Sequence, residues 1–314
     1  MPRNNNSTPA PAAAVVPPKR KRLEAAGATG GNNQKTLHEA AEQDDVNAID
    51  DLVAQGADVN ARCELHQAPL HTAAHFGSVG AAHTLLALGA NVNSRDANNY
   101  SPLHKAASKG NVKIIELLTC FGAQVNPLDN RLKTPLAWAA QLGHLEAIKA
   151  LARAGADVDA SGNNLESPLH IATMKAKMEV ISVLVALGAD VEAANHEGWT
   201  PLHFAAVLKS RGAEVVIPRL IEIGAKVGVF NNNQRRATPL CEALAVGSTD
   251  RAGQLLAAGS EVNTCVDEGK SPLQWAAGWY TQHIYYRRKA PVDRAMVELL
   301  LSSGVQNGLS SCHI

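Results

Sequence analysis

Leu37, Leu70, Leu103, Leu136, Leu169, Leu202, Leu240 and Leu273 stand 33 residues apart at every step except 202 to 240. A period of that length marks a solenoid, in which each unit is one supersecondary motif that buries its apolar face only against its neighbours. The chain is therefore expected to stack repeats along a continuous core, and its function is expected to be binding.

Most grid leucines follow a short polar residue and a proline, as in Ser101-Pro102-Leu103, Thr134-Pro135-Leu136, Ser167-Pro168-Leu169 and Thr200-Pro201-Leu202. The Ser or Thr hydroxyl accepts a backbone N–H bond at a helix start. Proline suits the first helical position, where its missing donor would be unpaired anyway. Alanine pairs follow at Ala73-Ala74, Ala106-Ala107, Ala139-Ala140 and Ala205-Ala206, small enough for helices of adjacent units to approach closely. Gly77, Gly110 and Gly143 close this first helix, and an apolar i, i+3, i+4 pattern such as Val112, Ile115 and Leu118 makes a second. The polar segment after the second helix, as in Gly89-Ala90-Asn91-Val92-Asn93, is too short for a helix and reads as an extended finger leading to the next cap.

The Pro-Leu-His turn, the Ala-Ala pair and the closing Gly-Ala-Asp-Val-Asn, as at Gly56-Ala57-Asp58-Val59-Asn60, resemble the ankyrin repeat family in register over residues 35–308. The resemblance implies an all-α ankyrin-repeat solenoid of about eight helix-turn-helix units with β-hairpin fingers. It also implies a concave groove, formed by first helices and fingers, that takes protein partners. In the family, the histidine after the grid leucine hydrogen-bonds between neighbouring turns; His38, His71, His104, His170 and His203 occupy that place. Such a series, one imidazole per unit, cannot converge on one metal ion. The positions resembling partner contacts lie three places before the grid leucine, at Tyr100, Lys133, Glu166, Trp199 and Lys270, and six after it, at Phe76, Lys109, Leu142, Lys175 and Leu208. Trp138, Phe204 and Trp275, two places after it, are expected in the core.

The pattern breaks in three places. Extra residues fall near 208–212, a long polar finger near 228–236 carries Arg235 and Arg236, and an insertion near 279–290 holds Trp279, Tyr285, Tyr286, Arg287 and Arg288. Aromatics beside arginine suit a binding hot spot or stacking on bases, and they also suit a cover for the last repeat. Both readings stay open here.

The 314 residues carry no net charge, but residues 1–34 hold +4 and leave −4 for the rest, so the repeats are not a polyanion binder by bulk charge. That first stretch is rich in Asn, Pro, Ala and Gly and is expected to be disordered, as are 309–314 to form a short tail. Its Lys19-Arg20-Lys21-Arg22 run resembles a nuclear localisation signal read by an importin, which points to the nucleus, the cytoplasm or both. Five cysteines without a close pair and no signal-peptide stretch fit a reducing compartment, and no run of 18 apolar residues fits a membrane span. Phosphate-loop, zincin and nucleophile-elbow motifs are missing, so no enzyme and no cofactor is expected. The reading is a monomeric, non-enzymatic scaffold or adaptor for a protein partner. Alternatives are a ubiquitin-ligase substrate adaptor, for which the residues after Gly304 are few, and a nucleic-acid contact through the C-terminal insertion.

Overall fold

The structure, a computed structural model, describes residues 36–209, 212–232, 236–263 and 294–304. Its first helices are α1 (Leu37–Glu42), α3 (Pro69–Phe76), α5 (Pro102–Lys109), α7 (Pro135–Leu142), α9 (Pro168–Met174), α11 (Pro201–Val207) and α13 (Pro239–Ala245). The second helices are α2 (Val46–Ala54), α4 (Val79–Ala87), α6 (Val112–Cys120), α8 (Leu145–Arg153), α10 (Met178–Ala186), α12 (Ala213–Glu222) and α14 (Thr249–Ala257), followed by α15 (Arg294–Ser302). Proline opens every first helix from α3 onward at its first residue. Ser101 Oγ accepts from His104 N–H at 3.3 Å and Thr134 Oγ1 from Ala137 N–H at 3.2 Å, the caps expected from sequence.

Helices of seven to nine residues are too short to hold themselves in water, so their stability comes from packing. Consecutive first helices α3, α5, α7, α9, α11 and α13 pack side by side, and each packs on its own second helix. Leu70, Leu103, Leu136, Leu169 and Leu240 are wholly buried, as are the alanine pairs Ala73-Ala74, Ala106-Ala107 and Ala139-Ala140. Each such leucine contributes roughly 1.5–3 kcal/mol by leaving water.

Side chains tie the layers across repeats. Asn111 Nδ2 donates to the carbonyls of Ala74 and His75 at 2.9 and 3.1 Å, satisfying the last turn of α3. The imidazoles run as a series along the stack: Nε2 of His38, His71, His104, His170 and His203 meets the carbonyl of Gln67, Tyr100, Lys133, Trp199 and Ala237 at 2.8 to 3.2 Å. A carbonyl accepts only, so Nε2 carries the proton, and Nδ1 is left to accept from the cap, as it does from Ser101 N–H at 3.0 Å.

The fingers are tighter than the β-hairpins expected. Asp96 N–H donates to Tyr100 O at 3.0 Å and Asn99 N–H to Asp96 O at 2.9 Å, closing a turn too short to form a ladder, and no strand occurs among the described residues. Residues 210–211, 233–235 and 264–293, and with them Arg235, Trp279, Tyr285, Tyr286, Arg287 and Arg288, lie outside the described residues, as do Lys19, Arg20, Lys21 and Arg22.

Candidate protein-interaction surface

Finger turns and first helices meet at an angle, and side chains lock the corner. Several fingers open on an Asp or Asn whose side chain organises the turn: Asp96 Oδ1 accepts from the N–H groups of Asn98 and Tyr100, both at 2.9 Å. Its second oxygen faces the helix residue two places after the grid leucine, pairing with Lys105 Nζ at 2.9 Å. One repeat on, Asp129 Oδ1 accepts from Arg131 and Lys133 N–H at 2.8 and 2.9 Å, and Oδ2 accepts from Trp138 Nε1–H at 2.8 Å. Farther along, Asn231 Nδ2 donates to Glu242 Oε1 at 3.2 Å. Burial by itself would push the Asp96 carboxyl up, but the Lys105 ammonium and the finger N–H groups outweigh it and hold it below the usual carboxylate range.

This geometry corrects one expectation. Trp138 and Phe204 are half-buried and line the corner rather than the core, because the second place after the leucine points at the finger. Trp138 meets Tyr100 edge-on with centroids 5.7 Å apart, and Phe204 meets Trp199 at 5.1 Å. Lys105 lies over the Tyr100 ring at 4.6 Å and Lys133 over the Trp138 ring at 5.3 Å. Trp275 lies outside the described residues. Tyr100 and Trp199, expected as contact residues, therefore also hold the corner together, and burial raises the Tyr100 phenol above its ordinary range.

The positions six after the leucine form the floor of the resulting trough. Phe76 and Leu142 are 55% and 43% exposed, and Lys109 and Lys175 are exposed between and beyond them. Phe76, Lys109 and Leu142 end their helices, and Lys175 caps α9. Lys133 reaches from its finger to Gln141 Oε1, beside Leu142. Leu208 differs: α11 ends at Val207, and Leu208 turns inward to 9% exposure. Arg236 is exposed, its guanidinium 5.3 Å from the Phe230 ring centre.

A pocket of about 300 Å³ opens between the third and fourth of these fingers, bordered by Arg131, Lys133, Ala137, Gly162, Glu166 and Ile171. Two departures from the repeat make it. Ala137 stands where five other units place the bridging histidine, and Gly162 stands where the second, third and fifth fingers place Asp96, Asp129 and Asn195. A Cβ on Gly162 would sit 2.8 Å from the Leu132 carbonyl oxygen, so the fourth finger approaches the third too closely for any side chain there. Burial lowers the Lys133 ammonium and raises the Glu166 carboxyl, the latter helped by Glu197 and opposed by Lys133. Two signals for this pocket were legible in the sequence, a missing histidine and a missing aspartate, but only the contact of the two fingers joins them.

Among the described residues, no helix is long and apolar enough to cross a membrane, and no cluster of His, Cys, Asp and Glu could hold a metal ion.

A family model described as "Ankyrin repeats (3 copies)" matches residues 20–96, 70–162 and 159–231. The crystal structure of the human ASB11 ankyrin repeat domain is similar at 30% identity and a TM-score of 0.62, covering 72% of this chain and 98% of that one. No curated protein matches. With more than half its length matched and the imidazole series joining one unit to the next, the chain belongs to the ankyrin repeat family.

Proposed function

We propose that this chain is a non-enzymatic adaptor that holds a protein partner in the trough between first helices and finger turns. Ankyrin repeats generally mediate protein–protein interaction, which supports the coarse reading. The observation that carries the finer one is the contrast along α3 and α7. Leu70 and Leu136 are wholly buried, yet Phe76 and Leu142, six residues on, stand 55% and 43% exposed at equivalent places in the trough. Scaffolding gives a large apolar side chain no reason to be there, and exposed apolar groups on a rigid surface are what a partner buries. Preorganisation by the stack limits the entropy lost on docking. The Lys19–Arg22 run adds an importin contact and hence a nuclear pool to the same reading.

The test is affinity capture from nuclear and cytoplasmic extracts with the intact chain and a Phe76→Ala/Leu142→Ala variant. Partners are expected to be lost from the variant while its thermal unfolding stays close to the parent's. Capture unchanged by the double substitution counts against the trough. Replacing Lys19–Arg22 by alanine is expected to shift a fluorescent fusion toward the cytoplasm.

A further inference from the structure

We propose that the trough recognises an extended acidic peptide segment in which apolar and acidic side chains alternate every third residue. The inference rests on the trough being the binding surface and specifies what fits it.

Phe76, Lys109, Leu142 and Lys175 occupy one register position in four successive repeats, so apolar and cationic groups alternate along the floor. Successive first helices pack side by side, with axes about 8–10 Å apart. A peptide in the extended polyproline II conformation has three residues per turn and advances about 3.1 Å per residue, so one turn spans one repeat. A segment in that conformation laid across the floor thus meets Phe76, Lys109, Leu142 and Lys175 with its first, fourth, seventh and tenth side chains, which all lie on one edge. Complementarity asks for apolar, acidic, apolar and acidic groups there.

The charge distribution points the same way. Residues 35–314 carry −4, yet the trough's exposed charged groups at this register are cationic, and among the described residues neither Lys109 nor Lys175 has an acidic partner. Asp96 and Asp129 are buried at 7% and 2% exposure and committed to their fingers, and the half-buried Glu166 lies beside Lys133 on the pocket wall. A lysine in the last turn of α5 also suits the helix dipole, but the dipole does not account for leucine and phenylalanine at the same register. Lys133 and Arg131 on the pocket wall extend the cationic surface beside Leu142. Phosphate-backbone binding would need neither Phe76 nor Leu142, and an aliphatic side chain offers no stacking platform, so the observations favour peptide over nucleic acid.

The probe is a phage-displayed random 12-residue peptide library selected against the full chain, followed by fluorescence anisotropy of the enriched peptides. Enriched sequences are expected to carry acids and large apolar residues in alternation at a spacing of three. They should bind a Lys109→Glu/Lys175→Glu variant about 10-fold or more weakly. Selection on that variant is expected to replace the acids by Lys or Arg. Peptides that need Phe76 and Leu142 but lack the acids overturn this inference and leave the trough reading standing. Peptides indifferent to Phe76→Ala/Leu142→Ala overturn both. No enrichment at all, or salt-sensitive binding of a single-stranded thymidine 20-mer that the lysine reversals abolish, also overturns the proposal.

Discussion

The indole N–H of Trp138 donates to Asp129 Oδ2 at 2.8 Å, fastening the third finger to α7. Asp129 is 2% exposed and accepts two further backbone N–H bonds, so its carboxylate stays solvated by protein. Removing it strands three donors, whereas removing the indole N–H strands one lone pair. Asp129→Ala is therefore expected to cost about 2–4 kcal/mol and Trp138→Phe about 1–2 kcal/mol in urea unfolding. Equal costs would mean that the tryptophan acts through packing alone.

Ala137 occupies the place of the bridging imidazole and lines the same pocket as Glu166. Ala137→His is expected to fill that pocket, bond the Glu166 carbonyl as His104 bonds that of Lys133, and raise stability by about 1 kcal/mol. The same variant should weaken any partner that reaches between these fingers. A loss of stability would show that the fourth finger sits too close to admit the ring.

At the end of α9 the chain turns through Ala176 with φ of +50°, where α3, α5 and α7 use Gly77, Gly110 and Gly143. A Cβ in the left-handed region costs about 1–2 kcal/mol, and glycine returns part of that as extra freedom in the unfolded chain. Ala176→Gly should therefore stabilise the domain by about 0.5–1 kcal/mol, read as a shift in the urea midpoint at unchanged slope. A lower midpoint would mean that the Ala176 methyl packs too well against the core to lose.

The repeat was legible because its determinants are local. A capping hydroxyl, a proline and a glycine each act within a few residues, and a buried leucine recurs on a grid. Even the histidine series followed from spacing once the family resemblance was in hand. The side from which Trp138 and Phe204 are covered was not legible, because an apolar residue two places after the leucine fits either a core or a finger-facing pattern. The carboxylate of Asp129, nine residues upstream, decides it for Trp138, and the Trp199 ring on its finger decides it for Phe204. The pocket escaped for a similar reason: Ala137 and Gly162 are unremarkable alone, and only the close approach of the fourth finger to the Leu132 carbonyl brings them to the wall of one pocket.

The imidazole series sets the acid response. Burial, opposed by the carbonyl bonds, lowers His71, His104 and His203 from 6.5 to about 4, and His170 moves in the same direction for the same cause. A proton on Nδ1 would point at the cap N–H it now accepts from, so the folded chain resists protonation while the unfolded chain takes it up. Between pH 6.5 and 4 the unfolded state binds more protons, and stability falls as the pH is lowered through that window. It is fully present above 6.5. Each imidazole contributes a slope on the order of 1 kcal/mol per pH unit, and several acting together should make the loss steep well before most carboxylates titrate. Urea midpoints at pH 7.0, 6.0 and 5.5 are expected to drop progressively, and His104→Gln should reduce the slope while lowering stability at pH 7. A midpoint that stays flat from pH 7.0 to 5.5 would show that the imidazoles open to solvent and protonate without loosening the stack.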